Sequence, residues 1–367
     1  MLELRVFDGV SRVDAAHWDA LVGDGSPFME HTFLAALEAT GCVGGDTGWT
    51  PIPITAWRDG RLVGAVAAYV KGHSFGEFVY DWQIAEWARR RGLRYYPKIV
   101  VCAPYSPVTG ERLLVHPEEA APDTVRDALL QGLVRVAEQG ISGINVLFPN
   151  ERDGLACGAR GGAERLQWQY HWVNKGFDSF DDFLATLPSK RRSEVRRERR
   201  QIRDVRVEAA VGDRPGLAGD LADFYAATYA RHTGGEGYLN GAFFEELCAR
   251  WGDRVHTVSA FVDGRRVAGT FNVWKGDRLY GRYWGARVDI PYLHFEVAIY
   301  AAVDWCIANG VSVFEPGHGG EHKRARGFAP TLVRSAHWMT DPRLDAPIRR
   351  FYQEEAAAVR AAVDAGE

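Results

Sequence analysis

The spacing of apolar and polar residues changes period several times along this chain, and each change predicts an element. Over residues 293–309 apolar side chains fall on nearly every face (Phe295, Val297, Ile299, Val303, Trp305, Ile307), which predicts a buried helix. Only its first turn is polar, at His294 and Glu296. A strand is predicted before it, over 277–285, and another after it, over 311–314, with Gly310 as the stop between. The same order occurs earlier: 129–140 predicts a helix ended by Gly140, and 141–148 an apolar strand. Further upstream, residues 56–64 match 260–268, each a strand, an Asp-Gly turn and a returning strand, which is a hairpin pattern. Hairpin, helix and strand in one order, twice, predict a duplicated α/β unit.

Between the copies the pattern turns basic. Ser179-Phe180-Asp181-Asp182 has capping-box spacing with Asp in the third place, so a helix is predicted over 180–187, closed by Pro188. The run 189–204 follows, SKRRSEVRRERRQIRD. Arg192, Arg196, Arg199 and Arg203 recur at helical spacing and share one face, while Val195 and Ile202 share another that can pack inward. Charge runs are most often solvated surface. Here the run stands out against a formal net charge of −4. Planar guanidinium groups suit phosphate oxygens, so Lys190, Arg192, Arg196 and Arg199 are candidate phosphate ligands for an RNA 3′ end, a pyrophosphate-linked lipid or a nucleotide.

Composition narrows the class. The chain has 367 residues, room for two domains of ordinary size, with 46% hydrophobic and 25% charged residues, as in globular proteins. Five scattered cysteines lack metal spacing, and neither an amino-terminal signal peptide nor an apolar membrane span is expected, so a reducing cytoplasm is the expected location. Twelve tryptophans point to aromatic cores and to clefts for flat or extended ligands.

Candidate chemistry gathers in the loop after the 311–314 strand, EPGHGGEHKRARGF, residues 315–328. Its glycines allow close backbone approach to a ligand. Glu321 and His322 are candidate proton acceptors, Lys323 a candidate oxyanion or phosphate ligand, and Arg326 a further anion ligand. His318 and His322 come with neither HExxH nor a cysteine partner, so no metal is expected, and no nucleophile elbow, Walker or dinucleotide motif is present. Tyr283, Trp284, His294 and Tyr300 are candidate pocket residues. Glu296 is open to two readings, a pocket group or an acid placed near a helix amino terminus. Tyr96, Lys98 and Tyr105, from loops rich in proline and aromatics, are candidate ligand-wall residues or rigid turns.

Several of these segments, in order, resemble the Fem-like predicted N-acyltransferases of the GNAT superfamily. They are SPFMEHTFLAALE from Ser26, YYPK from Tyr95, PVTGERLL from Pro107, FDDFLATLPSKRR from Phe180, YWG from Tyr283, HFE from His294 and GEHKRARGF from Gly320. The resemblance implies an α/β fold (α+β by some schemes) of two tandem GNAT-like domains, mixed central sheets flanked by helices, with a cleft between the domains. The expected boundaries are 1–178, a basic helical connector 179–205, and 206–367 with a terminal helix. It also implies transfer of an aminoacyl or acyl group to an amine acceptor, a peptidoglycan precursor or a peptide-like metabolite. No tightly bound cofactor is implied, only an acyl donor as co-substrate, aminoacyl-tRNA or acyl-coenzyme A. Peripheral contact with the inner membrane face would follow from a lipid-linked acceptor. The chain departs from the family pattern at His318-Gly319, where Ala-Gln is usual, and at Tyr105-Ser106, where Phe-Thr is usual. Coenzyme A-using relatives carry a glycine-rich pyrophosphate loop, whereas residues 286–292, ARVDIPY, hold no glycine, which favours a charged tRNA as donor. Two alternatives are a coenzyme A-dependent N-acetyltransferase on a small amine and a non-catalytic protein that recognises a cell-wall precursor or RNA.

Overall fold

The computed structural model describes residues 2–233 and 235–365, and the chain divides into two compact units. The first runs from the amino terminus to Trp168 and resumes at Leu332; the second is Gln169–Thr331. Both are mixed α/β units, the fold class expected from the sequence.

In the first unit, strands Leu2–Val6, Ile54–Arg58, Arg61–Val66 and Leu114–Val115 form an antiparallel sheet in that order. A second sheet has the order Trp49–Pro51, Ala68–Lys71, Lys98–Val101, Gly143–Leu147 and the carboxyl-terminal part of Ala329–Met339. The Lys98–Val101 and Gly143–Leu147 strands are parallel, and parallel neighbours need a crossover. Helix Pro122–Ala137 supplies it, placing Val125, Leu129, Leu133 and Ala137 in one core with Ile54, Ala56 and Val63.

The second unit repeats the plan. Strands Arg206–Val211, Val255–Val262, Arg265–Lys275 and Arg278–Ala286 are successively antiparallel, and Arg278–Ala286 then pairs in parallel with Val313–Glu315. The crossover is the predicted apolar helix, and its core neighbours include Val258, Leu279 and Phe314. The helix is not uniform: α-helical Leu293–Phe295 and Ala301–Ala308 flank a π-helical turn at Glu296–Tyr300.

The duplication extends to detail. Asp59-Gly60 and Asp263-Gly264 both take positive φ at both positions (51° and 81°; 50° and 75°), the hairpin turn whose twist matches the strands. Each hairpin slips register at the matching place, between Ala56 and Trp57 and between Ala260 and Phe261. In each an arginine covers the aromatic residue at that step, Arg5 lying 4.7 Å from the Trp57 ring centroid and Arg206 lying 4.0 Å from that of Phe261.

The domain limits differ from those expected. The last strand from Leu332 onward and helix Pro342–Asp364 belong to the first unit, because Ser335–Met339 pairs with Gly143–Leu147 and Leu344, Ile348 and Tyr352 share a core with Ile84 and Tyr95. Conversely, Trp172 and Val173, at the end of strand Ala163–Val173, pair with Phe314 and Val313 of the second unit. Each unit thus takes the strand beside its crossover strand from the other half of the sequence. Residues 179–205 are no separate connector; Phe180, Phe183, Leu184 and Val195 sit in the second unit's core.

Candidate active site

The loop around Lys323 is built on a strand that makes room for it. A Cβ on Gly281 would stand 3.1 Å from Pro316 Cα, so glycine lets the loop lie directly on strand Arg278–Ala286. In that strand Phe271 pairs with Tyr283 but Asn272 with Gly281, which leaves Arg282 as the extra, bulged residue. Bulges re-aim side chains, and Arg282 is turned to where its charge acts on Lys323 and His318. Sequence reading passed over Arg282; its only local signal is a lone arginine in an aromatic, glycine-containing strand.

Glu321–Arg326 forms a short 3-10 turn between Gly320 and Gly327, both at positive φ. Lys323 is 6% exposed and donates to the carbonyls of Gly317 at 2.8 Å and Pro316 at 3.3 Å. Burial, followed by the Arg282 charge, brings its amine down to about 8. A lysine of that kind is part neutral near neutral pH and can give or take a proton. A Cβ on Gly320 would stand 2.8 Å from His322 Cε1 and 3.2 Å from Lys323 Cε, so the glycine lets the two side chains flank it.

His322 is half-buried, and burial, then Lys323 and Arg326, hold its imidazole below its usual value. Its Nε2 is buried without a hydrogen-bond partner among the described residues. The ring lies 5.6 Å from those of both His294 and Phe295, and His294 in turn lies 4.5 Å from Trp284. Two more imidazoles are held to about 4, chiefly by burial: His318, also opposed by Lys323 and Arg282, and His171, also opposed by Arg278 and Lys323. These rings are neutral at neutral pH. The site therefore combines a buried amine, a buried guanidinium and neutral imidazoles, with Trp284 and Phe295 beside them. Glu321 is exposed.

Arg326 is the loop's anchor. Its Nη2 donates to both oxygens of Glu198, its Nε donates to the Tyr300 hydroxyl at 2.6 Å, and its Nη1 to the His322 carbonyl at 3.0 Å. The Tyr300 hydroxyl also donates to Glu198, and the guanidinium lies 3.5 Å over the Phe295 ring. Expected as ligand groups, Arg326 and Tyr300 are thus committed internally. Glu198, an acid within the basic run, is the buried group that fixes them.

The basic helix, Ser189–Gln201, forms as predicted, and Ser179 caps the helix before it by accepting from the Asp182 amide. Val195 and Ile202 pack inward, both 3% exposed. The arginine face does not stand as one free surface. Arg192 donates to the Ala185 and Leu187 carbonyls, Arg196 pairs with Asp181 at 2.8 Å, and Arg199 holds Glu296 at 3.0 and 3.1 Å and Asp304 at 3.2 Å. Lys190 is exposed. Glu296, its carboxyl raised by burial against the pull of Arg199, is a structural partner here rather than a pocket wall. Tyr283 stacks on Phe271 and meets the Tyr225 ring edge-on at 4.8 Å.

Tyr96, Lys98 and Tyr105 lie in the first unit. Lys98 is 1% exposed and held by Ser74, Glu77 and Asp81; the Tyr105 hydroxyl donates to the Cys42 carbonyl at 2.7 Å; Tyr96 shares a hydrogen bond with Ser74. Lys98 and Tyr105 are interior packing groups rather than the ligand wall expected of them. Among the described residues no three His, Cys, Asp or Glu side chains are grouped to hold a metal ion, and no helix is long and apolar enough to cross a membrane.

Comparison with known proteins gives a family and a fold. A family model described as FemAB-like, peptidoglycan biosynthesis/recognition, matches residues 9–367. No curated protein matches the chain. The crystal structure of FemX is 12% identical, with a TM-score of 0.52 over 95% of this chain and 99% of FemX. A tandem GNAT protein from the clavulanic acid biosynthesis pathway (12% identical, TM-score 0.45, 93% of this chain and 99% of that one) and L-PGS from Bacillus licheniformis (11%, 0.48, 87% and 94%) are more distant in fold. At such identities the likeness to FemX is one of fold.

Proposed function

Since the chain belongs to the FemAB-like family of peptidoglycan biosynthesis and recognition, we propose that it is a transferase that moves an aminoacyl or acyl group onto an amine, with the loop around Lys323 as its site of chemistry. The observation that carries this reading is Lys323 itself: a buried amine near 8, oriented by two backbone carbonyls on a loop that Arg326 and Glu198 pin in place. Such a group suits a reaction in which negative charge appears on an oxygen and a proton changes hands.

In the proposed reaction the acceptor nitrogen attacks the donor's carbonyl carbon. A C–N bond forms, the donor's C–O ester bond (or C–S thioester bond) breaks, and the nitrogen loses one proton. His322, neutral and half-buried with Nε2 unpartnered, takes that proton; exposed Glu321 is the less suitable acceptor. Lys323 as ammonium stabilises the oxyanion and protonates the leaving atom. Trp284, His294 and Phe295 would seat the acyl group. The donor is proposed to be aminoacyl-tRNA, in keeping with the glycine-free segment 286–292.

The test is label transfer from a panel of charged tRNAs and acyl-coenzyme A donors to peptidoglycan precursors and small amines. Lys323→Ala should reduce turnover on the order of 10²–10³ on whichever pair reacts. Full turnover by both Lys323→Ala and His322→Ala would overturn the site, and reaction with acyl-coenzyme A alone would overturn the donor.

A further inference from the structure

The first unit spends two buried lysines on a loop whose aromatic side chains stay outside. Lys98 donates to Ser74 and Glu77 at 2.8 Å and to Asp81 at 2.5 Å, and Lys71 donates to the Phe75 carbonyl at 2.5 Å. The lysine and acid side chains of this network are 0–1% exposed. Buried ions of this kind are costly to assemble and hold a backbone in one place. Yet Phe75, Tyr80 and Trp82 on and beside that loop are 53%, 45% and 50% exposed. Of the ten large hydrophobic side chains exposed among the described residues, these three and Phe351 belong to one region. Trp82 lies 6.2 Å from Phe75 and 5.2 Å from Tyr80, tilted by 53° and 49°, so the rings close on each other and leave no parallel slot for a flat ligand.

Charge continues the surface. Trp82 opens helix Trp82–Arg90, and Glu86, Arg89 and Arg90 follow at i+4, i+7 and i+8 on the same face. The arginines therefore stand about 10–12 Å along the helix from Trp82. Exposed Arg91 and Arg94 follow, Arg91 lying 4.5 Å over the Trp87 ring, and Glu86 is the one acid between residues 82 and 94. A cavity of about 260 Å³ between this helix and the last one is lined by Ile84, Trp87, Pro347, Ile348 and Phe351, with Gln83 at its edge.

We propose that this surface docks the first unit peripherally onto an anionic lipid bilayer, its exposed rings entering the headgroup layer and its arginines meeting lipid phosphates. Tryptophan and tyrosine favour that depth because each has an apolar body and a polar tip, and arginines beside them add attraction to anionic lipid. Charge selects the occupant: Arg89 and Arg90 share the single acid Glu86, and Arg94 donates to the Gly140 carbonyl. Four exposed arginines against one acid leave a net excess of three positive charges beside unburied aromatic rings, which complements a sheet of phosphates. The rigid footing of the loop fits a surface that must offer its rings before contact.

Co-sedimentation of the full chain with large unilamellar vesicles tests it. Binding should rise as phosphatidylglycerol replaces phosphatidylcholine and fall with added salt. Phe75→Ser with Trp82→Ser should lower partitioning about tenfold, and Arg89→Glu with Arg90→Glu by roughly fivefold or more per arginine. Both pairs are exposed, so each double variant should stay folded, the arginine pair giving up only its surface ion pairs with Glu86, and each checks the other. No wild-type binding to phosphatidylglycerol vesicles at low salt would overturn the proposal. So would undiminished binding by both variants, or a dimer in sedimentation velocity that the Phe75/Trp82 variant dissolves.

Discussion

Arg326 Nη2 stands 2.9 and 3.0 Å from the two carboxylate oxygens of Glu198, across 128 positions of sequence. One contact thereby joins the basic helix to the catalytic-loop candidate and, through Tyr300, to the crossover helix. Arg326 and Glu198 are 8% and 3% exposed, so removing either partner leaves a charge in a dry interior.

Arg326→Ala or Glu198→Ala should therefore cost about 3–5 kcal/mol in unfolding free energy. Chemical denaturation measures it. A loss below about 1 kcal/mol would show that the pair is not the anchor described.

Lys323 links charge to pH. Its amine sits at about 8 in the fold against the ordinary 10.5 of a lysine, so between those limits the unfolded chain holds the extra proton. Stability from this group must rise with pH across that window, since the cost of its buried charge, complete below pH 8, is progressively relieved. Relative to Lys323→Met, the wild type should gain on the order of 2–3 kcal/mol between pH 8 and 10.5. A constant difference across that range would place the amine in solvent. If the ammonium does the chemistry, turnover should also decline as pH rises through about 8, and that limb should vanish in Lys323→Arg.

Gly281 and Gly285 separate loop placement from packing. A Cβ on Gly285 would lie 2.1 Å from the Phe224 carbonyl oxygen, where only backbone movement can make room. Gly285→Ala should thus destabilise by about 1–3 kcal/mol or more. At Gly281 the crowded atoms are Pro316 Cα and C and the Phe314 ring, all at 3.1–3.3 Å and so far looser than the 2.1 Å contact at Gly285. Gly281→Ala should therefore shift the loop and impair turnover more than it lowers the melting temperature. Equal effects of both substitutions on both measurements would contradict this division.

The arginine face divides likewise. Arg199 bridges buried Glu296 and half-exposed Asp304, whereas Arg196 and its partner Asp181 are 51% and 75% exposed. Arg199→Glu should cost about 1–3 kcal/mol, and Arg196→Glu no more than about 0.5 kcal/mol. Thermal melts in parallel decide it. If Arg196 also contacts polyanion, its reversal should weaken RNA binding and flatten its salt dependence.

Much of the architecture was legible locally. The Asp-Gly turns, the Ser179 cap, the glycine stops and the apolar crossover helix are written within a few neighbouring residues, because backbone dihedrals and cap hydrogen bonds are settled at that range. The repeat of hairpin, helix and strand was visible for the same reason. Within the 315–328 segment, Lys323 and His322 could be nominated from residue type and glycine content.

Other features had no local trace. Which unit receives the last strand depends on partners such as Ser335 and Leu147, far apart in sequence and alike in apolar pattern to many alternatives. Which arginines are spent internally depends on acids about a hundred positions away, as with Arg199 and Glu296. The sequence by itself determined the elements, their duplication and the chemical inventory of the loop. Only the tertiary structure decided that Lys323 is buried beside Arg282, that Arg326 anchors rather than binds, and that Lys98 lies inside. Desolvation and ion pairing depend on what surrounds a group in space, and chain order does not encode that directly.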